Sequence, residues 1–143
     1  MNDVAWDAWL AGMIDGEGCL TINEQLTTNP ARSSAHWANL AVVNTDKAAL
    51  DEMQTREGGS LYRKRQSSLR HKECWAWNLC SQQLVDLLRR IRAHLRVKRE
   101  QAWLVLEFDA SRSDCRGIAR PTPEELALRA GFRLALQNAK LGG

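Results

Sequence analysis

The sequence lacks any long apolar run: none of its 143 residues sits in a stretch approaching the ~18 uninterrupted apolar residues of a membrane span. Its opening, MNDVAWD, is acidic where a secretory signal is basic, which predicts an intracellular protein of the cytoplasm or an organelle matrix. Cysteine spacing for a metal is lacking too. Cys19, Cys74, Cys80 and Cys115 form no C-x-x-C pair, and His36, His71 and His94 are not spaced for zinc, which argues against a zinc site. The four cysteines are expected to be reduced, buried thiols. Fixed-period repeats, low-complexity tracts and long linkers are absent. What remains, 44% hydrophobic and 26% charged residues, reads as one globular domain over residues 1–143.

Net charge is small, +3, but unevenly placed. Between Arg56 and Arg99 stand 12 Lys or Arg against 3 Asp or Glu; the rest of the chain carries 8 against 14. Such segregation predicts one basic face for a polyanion, most simply nucleic acid. The alternative is a solvated surface whose charges keep the protein soluble.

Periodicity predicts an α+β fold. Apolar and small residues recur at three and four from about Val4 to Gly16, a helix ending in Gly16 and Gly18. Cys19 to Leu26 alternates Leu20, Ile22 and Leu26 against Thr21, Asn23 and Gln25, a half-buried strand. After the loop TTNPARSS, Ala35 to Val43 forms a second strand with Ala38, Leu40 and Val42 inward. Asn44 or Thr45 caps a helix opened by Asp46 that runs to about Glu57 and stops at Gly58-Gly59. Two strands follow, Ser60 to Ser67 and Lys72 to Cys80. Ser81 caps a helix carrying Leu84, Leu87, Leu88, Ile91 and Leu95, and another begins near Lys98 with Ala102, Val105, Leu106 and Phe108. Thr122-Pro123-Glu124-Glu125 is a capping box opening a last helix to about Gln137. The order is αββαββα with further C-terminal helices.

The residues most informative of chemistry are Leu10-Ala11-Gly12-Met13-Ile14-Asp15-Gly16-Glu17-Gly18. Glycine within a helix costs about 0.5–1 kcal/mol relative to alanine, so Gly12 needs a compensating reason. Ala8, Gly12 and Gly16 lie four apart on one stripe with Ala11 beside them, and a stripe without bulk lets a second helix approach closely. Asp15 and Glu17 then fall at the negative end of the helix dipole, where a cation is needed to offset them; a hard divalent metal would do so.

This nonapeptide resembles the LAGLIDADG motif of homing endonucleases, in Leu10, Ala11, Gly12, Ile14, Asp15 and Gly18, with Glu17 as an acidic variant and Met13 and Gly16 as mild departures. The likeness extends over most of the chain, from about Trp6 to Gln137. It implies the LAGLIDADG fold with a four-stranded antiparallel DNA-binding sheet. It also implies a homodimer joined through the motif helices at Ala8, Ala11, Gly12, Asp15 and Gly16, because the sequence carries one motif. The implied activity is hydrolysis of both strands of a long, pseudo-palindromic DNA target across the minor groove, leaving short 3′ overhangs. Glu17 and the Gly16 carbonyl are the implied ligands of Mg²⁺, with Mn²⁺ or Ca²⁺ as substitutes and no other small-molecule cofactor. Lys98, in LRVKREQA, resembles a lysine beside the scissile phosphate, and the alternative is a basic surface run with Arg96 and Arg99. Asp46 resembles a polar residue that organises water, and the alternative is an ordinary helix-start acid.

Alternation points Thr21, Asn23, Gln25, Trp37, Asn39, Arg63, Arg65, Ala76 and Asn78 toward a groove, where Arg reads guanine and Asn or Gln reads adenine. Arg63 and Arg65 are the expected base readers, unless they touch phosphate only. Arg32, Arg70 and Lys72 are expected on the backbone. Of the tryptophans, Trp6, Trp9, Trp75, Trp77 and Trp103 read as packing and Trp37 as outward. Two other readings remain: a protein of this fold that has lost cleavage and acts as a maturase or DNA-binding regulator, and an RNA-binding module using the basic sheet.

Overall fold

The computed structural model describes residues 2–29, 31–32, 34–65, 72–112 and 121–142. Its elements are α1 (Asp3–Glu17), β1 (Gly18–Gln25), β2 (Ala35–Asn44), α2 (Lys47–Glu57), β3 (Ser60–Lys64), β4 (Cys74–Cys80), α3 (Ser81–Ile91), a 3-10 turn (Arg92–His94), α4 (Arg99–Ser111) and α5 (Pro123–Gly142). The αββαββα order is therefore present, with α4 and α5 appended. The strands form one antiparallel sheet in the order β1-β2-β4-β3, two hairpins side by side with β2 and β4 central.

The period of two sorts the sheet into faces. Leu20, Ile22, Ala38, Leu40, Val42, Trp77 and Leu79 are buried against the helices, which contribute Trp6, Leu10, Ala11 and Ile14 from α1 and Leu84, Leu87, Leu88 and Ile91 from α3. Ala102, Val105 and Phe108 of α4 and Leu136 of α5 extend the same core. The α5 capping box forms as expected: Thr122 N donates to Glu125 Oε2 at 3.1 Å and Glu125 N to Thr122 Oγ1 at 3.2 Å. Among the described residues no helix is long and apolar enough to cross a membrane.

Several local expectations are corrected. Leu26 lies past the end of β1 and is 62% exposed; the inward position before it belongs to Glu24, whose carboxylate meets His36 Nε2 at 3.2 Å and Arg133 at 3.3 Å. Burial pushes the His36 pKa below its ordinary value, outweighing the hydrogen bond and charge of Glu24 that raise it. Asp46, not Asn44 or Thr45, is the N-cap of α2: its Oδ1 accepts from Ala49 N, while Asn44 Oδ1 accepts from Asp46 N. Ser81 does not cap α3; Cys80 holds that position without a side-chain bond, and Ser81 takes φ +54°, a left-handed conformation uncommon for serine. Cys19 and Cys80 are exposed and Cys74 half-buried, so these free thiols are not core residues; Cys115 lies outside the described residues. Trp103 is 45% exposed on the outer side of α4.

Gly58 and Gly59, at φ +82° and +85°, reverse the chain between α2 and β3. A Cβ at Gly59 would lie 2.3 Å from Asn78 O, inside the β3–β4 pairing. Gly59→Ala therefore adds backbone strain to a clash that the sheet cannot relieve, and is expected to lower unfolding stability by about 1–3 kcal/mol in urea titration. An unchanged midpoint would contradict this account of the turn.

Candidate active centre and nucleic-acid interface

Helix α1 passes into β1 without an intervening loop, which places Glu17 at its last residue. The close passage depends on Gly18, where a Cβ would meet Ile14 O at 2.6 Å. Two residues before Glu17, the Asp15 carboxylate accepts hydrogen bonds from Arg96 N at 2.8 Å and Lys98 N at 2.9 Å. Lys98 Nζ donates in return to Asp15 O at 2.8 Å. Asp15 thus clasps the turn leading into α4, and the Lys98 ammonium sits on a carbonyl at the negative end of α1. The Asp15 carboxylate, expected at the helix–helix contact, is engaged within the chain itself. Lys98 is thus held by two defined bonds at the start of α4.

Asp15→Ala removes the acceptor for two main-chain N–H groups and is expected to destabilise the protein by about 1–3 kcal/mol. The specific readout is hydrogen exchange: amide protection at Arg96 and Lys98 should fall together. Unchanged protection there would sink the clasp.

Glu17 is exposed and, among the described residues, has neither a hydrogen bond nor an ion pair; no basic residue occupies the last turn of α1. No group of three His, Cys, Asp or Glu residues that could hold a metal gathers among the described residues. An unpaired carboxylate with a neighbouring carbonyl at Gly16, both hard oxygen donors at a negative helix end, fits a cation that keeps waters and takes few protein ligands. Beside this end of α1 opens a groove of about 770 Å³, with walls including Gly18, Lys98, Gln101 and residues of α5. Asp46 is not on that wall; its Oδ1 is occupied with capping and it is exposed.

The sheet's outer face is fixed by register. Thr21 pairs with Asn39 and Asn23 with Trp37, Gln25 with Ala35, Ala41 with Asn78, and Ser60 with Asn78. Thr21, Asn23, Gln25, Trp37, Asn39 and Asn78 therefore share this face as expected, and Asn39 Nδ2 reaches Asn78 Oδ1 at 3.5 Å. Arg63 does not join them. It pairs with Trp75, and Leu61 with the buried Trp77, so Arg63 shares the helix-side parity of those residues and forms an ion pair with Glu73 at 2.7 Å. Arg65 lies beyond the end of β3. The outward residues of β3 are Ser60, Tyr62 and Lys64, which sequence reading missed; the apolar Leu61, two before Arg63, carried the signal. Arg32 and Lys72 are exposed in the connections, and Arg70 lies outside the described residues.

Two arginines of the basic segment are engaged with acids of the helical layer and not on the sheet's outer face. Arg56 pairs with Glu52 on α2, and Arg90 of α3 with Asp7 and Glu57. On α1, Ala8, Gly12 and Gly16 are exposed on one stripe, and nothing among the described residues lies within 4 Å of a Cβ built at either glycine. Ala11 is corrected: it is fully buried in the chain's own core, on the side of Leu10 and Ile14.

No protein-family model matches the sequence, and no curated protein matches it. Solved structures do. The homing endonuclease I-CvuI, in complex with its target, superposes with a TM-score of 0.77 at 22% identity over 94% of this chain and 82% of that one. The archaeal intron-encoded homing endonuclease I-Vdi141I, complexed with DNA, gives 0.76 at 11% identity, covering 96% and 86%. The LAGLIDADG homing endonuclease I-SmaMI, bound to cleaved DNA, gives 0.69 at 12% identity, covering 89% of this chain but 42% of its own. The chain has the LAGLIDADG homing-endonuclease fold.

Proposed function

We propose that the protein is a site-specific double-strand DNA endonuclease working as a homodimer on a pseudo-palindromic target. The observation that carries this reading is the end of α1, where an unpaired Glu17 stands two residues beyond the carbonyl that holds Lys98 Nζ. Relatives in fold support the substrate: I-CvuI and I-Vdi141I are bound to DNA, the former in the presence of calcium. The sheet's outer face, with Thr21, Asn23, Gln25, Trp37, Asn39, Tyr62, Lys64 and Asn78, offers amide, hydroxyl and ammonium groups to base edges in a major groove. Arg32, Arg70 and Lys72 are assigned to the phosphate backbone, where they position without reading sequence.

Glu17 and the Gly16 carbonyl would hold the divalent cation, Mg²⁺ in the working enzyme with Mn²⁺ or Ca²⁺ able to take the same oxygen donors. When bound, such an ion polarises the phosphodiester and lowers the pKa of a coordinated water. Lys98, fixed by Asp15, offers its ammonium to negative charge developing on the phosphate. Asp46 keeps its second carboxylate oxygen open to solvent and is the proposed organiser of water. Cutting of each strand by one subunit, across the minor groove, leaves short 3′ overhangs.

The dimer follows from a cost with no return inside the chain. Gly12 and Gly16 each weaken α1 by about 1 kcal/mol relative to alanine, and in both places a methyl group would meet open space. A second α1 packed along Ala8, Gly12 and Gly16 supplies the reason, and the two-fold axis then repeats Glu17 once per DNA strand. The match covers 42% of I-SmaMI, a chain long enough to hold a second unit of this length.

Two experiments test the reading. Glu17→Gln, assayed on sites selected from a randomised duplex library with Mg²⁺, should retain DNA binding and lose cutting by more than the roughly 10–100-fold typical of removing a ligand's supporting partner. Absence of Mg²⁺-dependent cutting by the unmodified protein would favour a DNA-binding regulator, and preference for RNA an RNA-binding module. Gly12→Leu should shift sedimentation from dimer to monomer, and an unchanged dimer would remove the interface from α1.

A further inference from the structure

Helix α5 runs beside α4 and along β1, the sheet's edge strand, so that its last turns arrive where α1 ends. Two depressions meet there. The groove of about 770 Å³ is walled by Lys98 before α4, Gln101 on α4, Cys19 on β1, and Asn138 and Lys140 on α5. A smaller cleft of about 110 Å³ lies between Thr21 and Asn23 of β1 and Gln137 and Lys140 of α5. Lys140 is the residue common to both, between the Lys98 wall and the strand whose outward residues face the proposed bases.

Its bonding is incomplete for an ammonium. Lys140 Nζ donates to Cys19 Sγ at 3.5 Å, a weak acceptor, and neither it nor Lys98 takes part in an ion pair among the described residues. Glu100, on the rim of the larger groove, is the one acid in either wall. Two cations facing one groove without carboxylate partners leave a local positive potential that an anion would satisfy.

We propose that Lys140 contacts a DNA phosphate next to the one cut, making the end of α5 part of the substrate track. This rests on the endonuclease reading. A strand running from the bases at Thr21 and Asn23 to the phosphate beside Lys98 must pass over Lys140, whose charge neutralises the phosphate in between. Cys19, which lines the same groove, is the one hydrogen-bond partner of that ammonium among the described residues.

The test uses the full chain and a random-sequence duplex in Ca²⁺, with affinity followed by fluorescence anisotropy across a salt series. Each phosphate neutralised contributes about 0.9 to the slope of log affinity against log salt. Lys140→Gln should flatten the slope by about 0.9 for each subunit, hence about 1.8 for the dimer, and Lys140→Arg should restore it. Circular dichroism should show both variants folded, since the side chain's one bond is to a thiol. Equal slopes for the unmodified protein and Lys140→Gln overturn the phosphate contact alone. An arginine variant as shallow as the glutamine variant also overturns it, because shape and not charge would then be responsible. A flat salt response of the unmodified protein overturns the endonuclease reading along with it.

Discussion

The two-way bond between Asp15 and the turn at residues 96–98 is the constraint on which the site depends. The residues are 81 and 83 positions apart in sequence, and their union fixes the end of α1 against the beginning of α4. Each end contributes what the other lacks. The turn into α4 has main-chain N–H groups needing acceptors, and α1 ends in carbonyls needing donors. The Asp15 carboxylate and the Lys98 ammonium exchange those needs. With the Asp15 carboxylate hydrogen-bonded in this way, Glu17 is left as the one acid at the helix end still without a partner among the described residues.

The sheet supports the same point from the other side. Antiparallel strands with one covered face divide their residues by parity, and the hairpin β1–β2 holds that parity over eight paired positions. Because β1 is an edge strand, α5 can lie beside it and bring polar side chains level with the open face. The helical layer thereby supplies residues to a surface that the strands alone would define. The tight glycine at position 18 matters here, since it lets β1 start directly beneath the last turn of α1.

Much of this was legible in the sequence. Strong periods gave the elements: the inward Leu20 and Ile22 of β1, the apolar row of β2, the spacing of Leu84, Leu87, Leu88 and Ile91, and the reciprocal cap at Thr122 and Glu125 all appear as read. The misreadings share a cause, which is that they turn on pairing between distant segments. Arg63 looked outward because charge suggested solvent, whereas the pairing of Leu61 with Trp77 sets the parity of that short strand. Nearness in sequence suggests one basic surface, whereas folding sends Arg56 and Arg90 to the carboxylates of α1 and α2. The role of Asp15 could not be read locally, since its donors lie on an element encoded much later. Glycine 12 was legible as an oddity and remains one within the chain, where nothing approaches it.

The two ends of α1 show where the chain has been optimised for itself and where it has not. At the N-terminal end, Asn2 caps the helix, Trp6 Nε1 donates to Glu57 at 2.9 Å, Arg90 bridges Asp7 and Glu57, and the Arg56 guanidinium lies 4.3 Å from the Trp6 ring centre. Every charged group named there has a partner. Toward the C-terminal end the helix carries two glycines with empty space beside them, an acid at the wrong pole of its dipole with no cation, and a lysine from α5 resting on a thiol. Random drift would scatter such local losses, and marginal stability would tolerate only a few. Their concentration at one end of α1 is the physical ground of the proposed reading, in which a second helix would cover the glycines, a cation would sit on Glu17 and phosphate would meet the lysines.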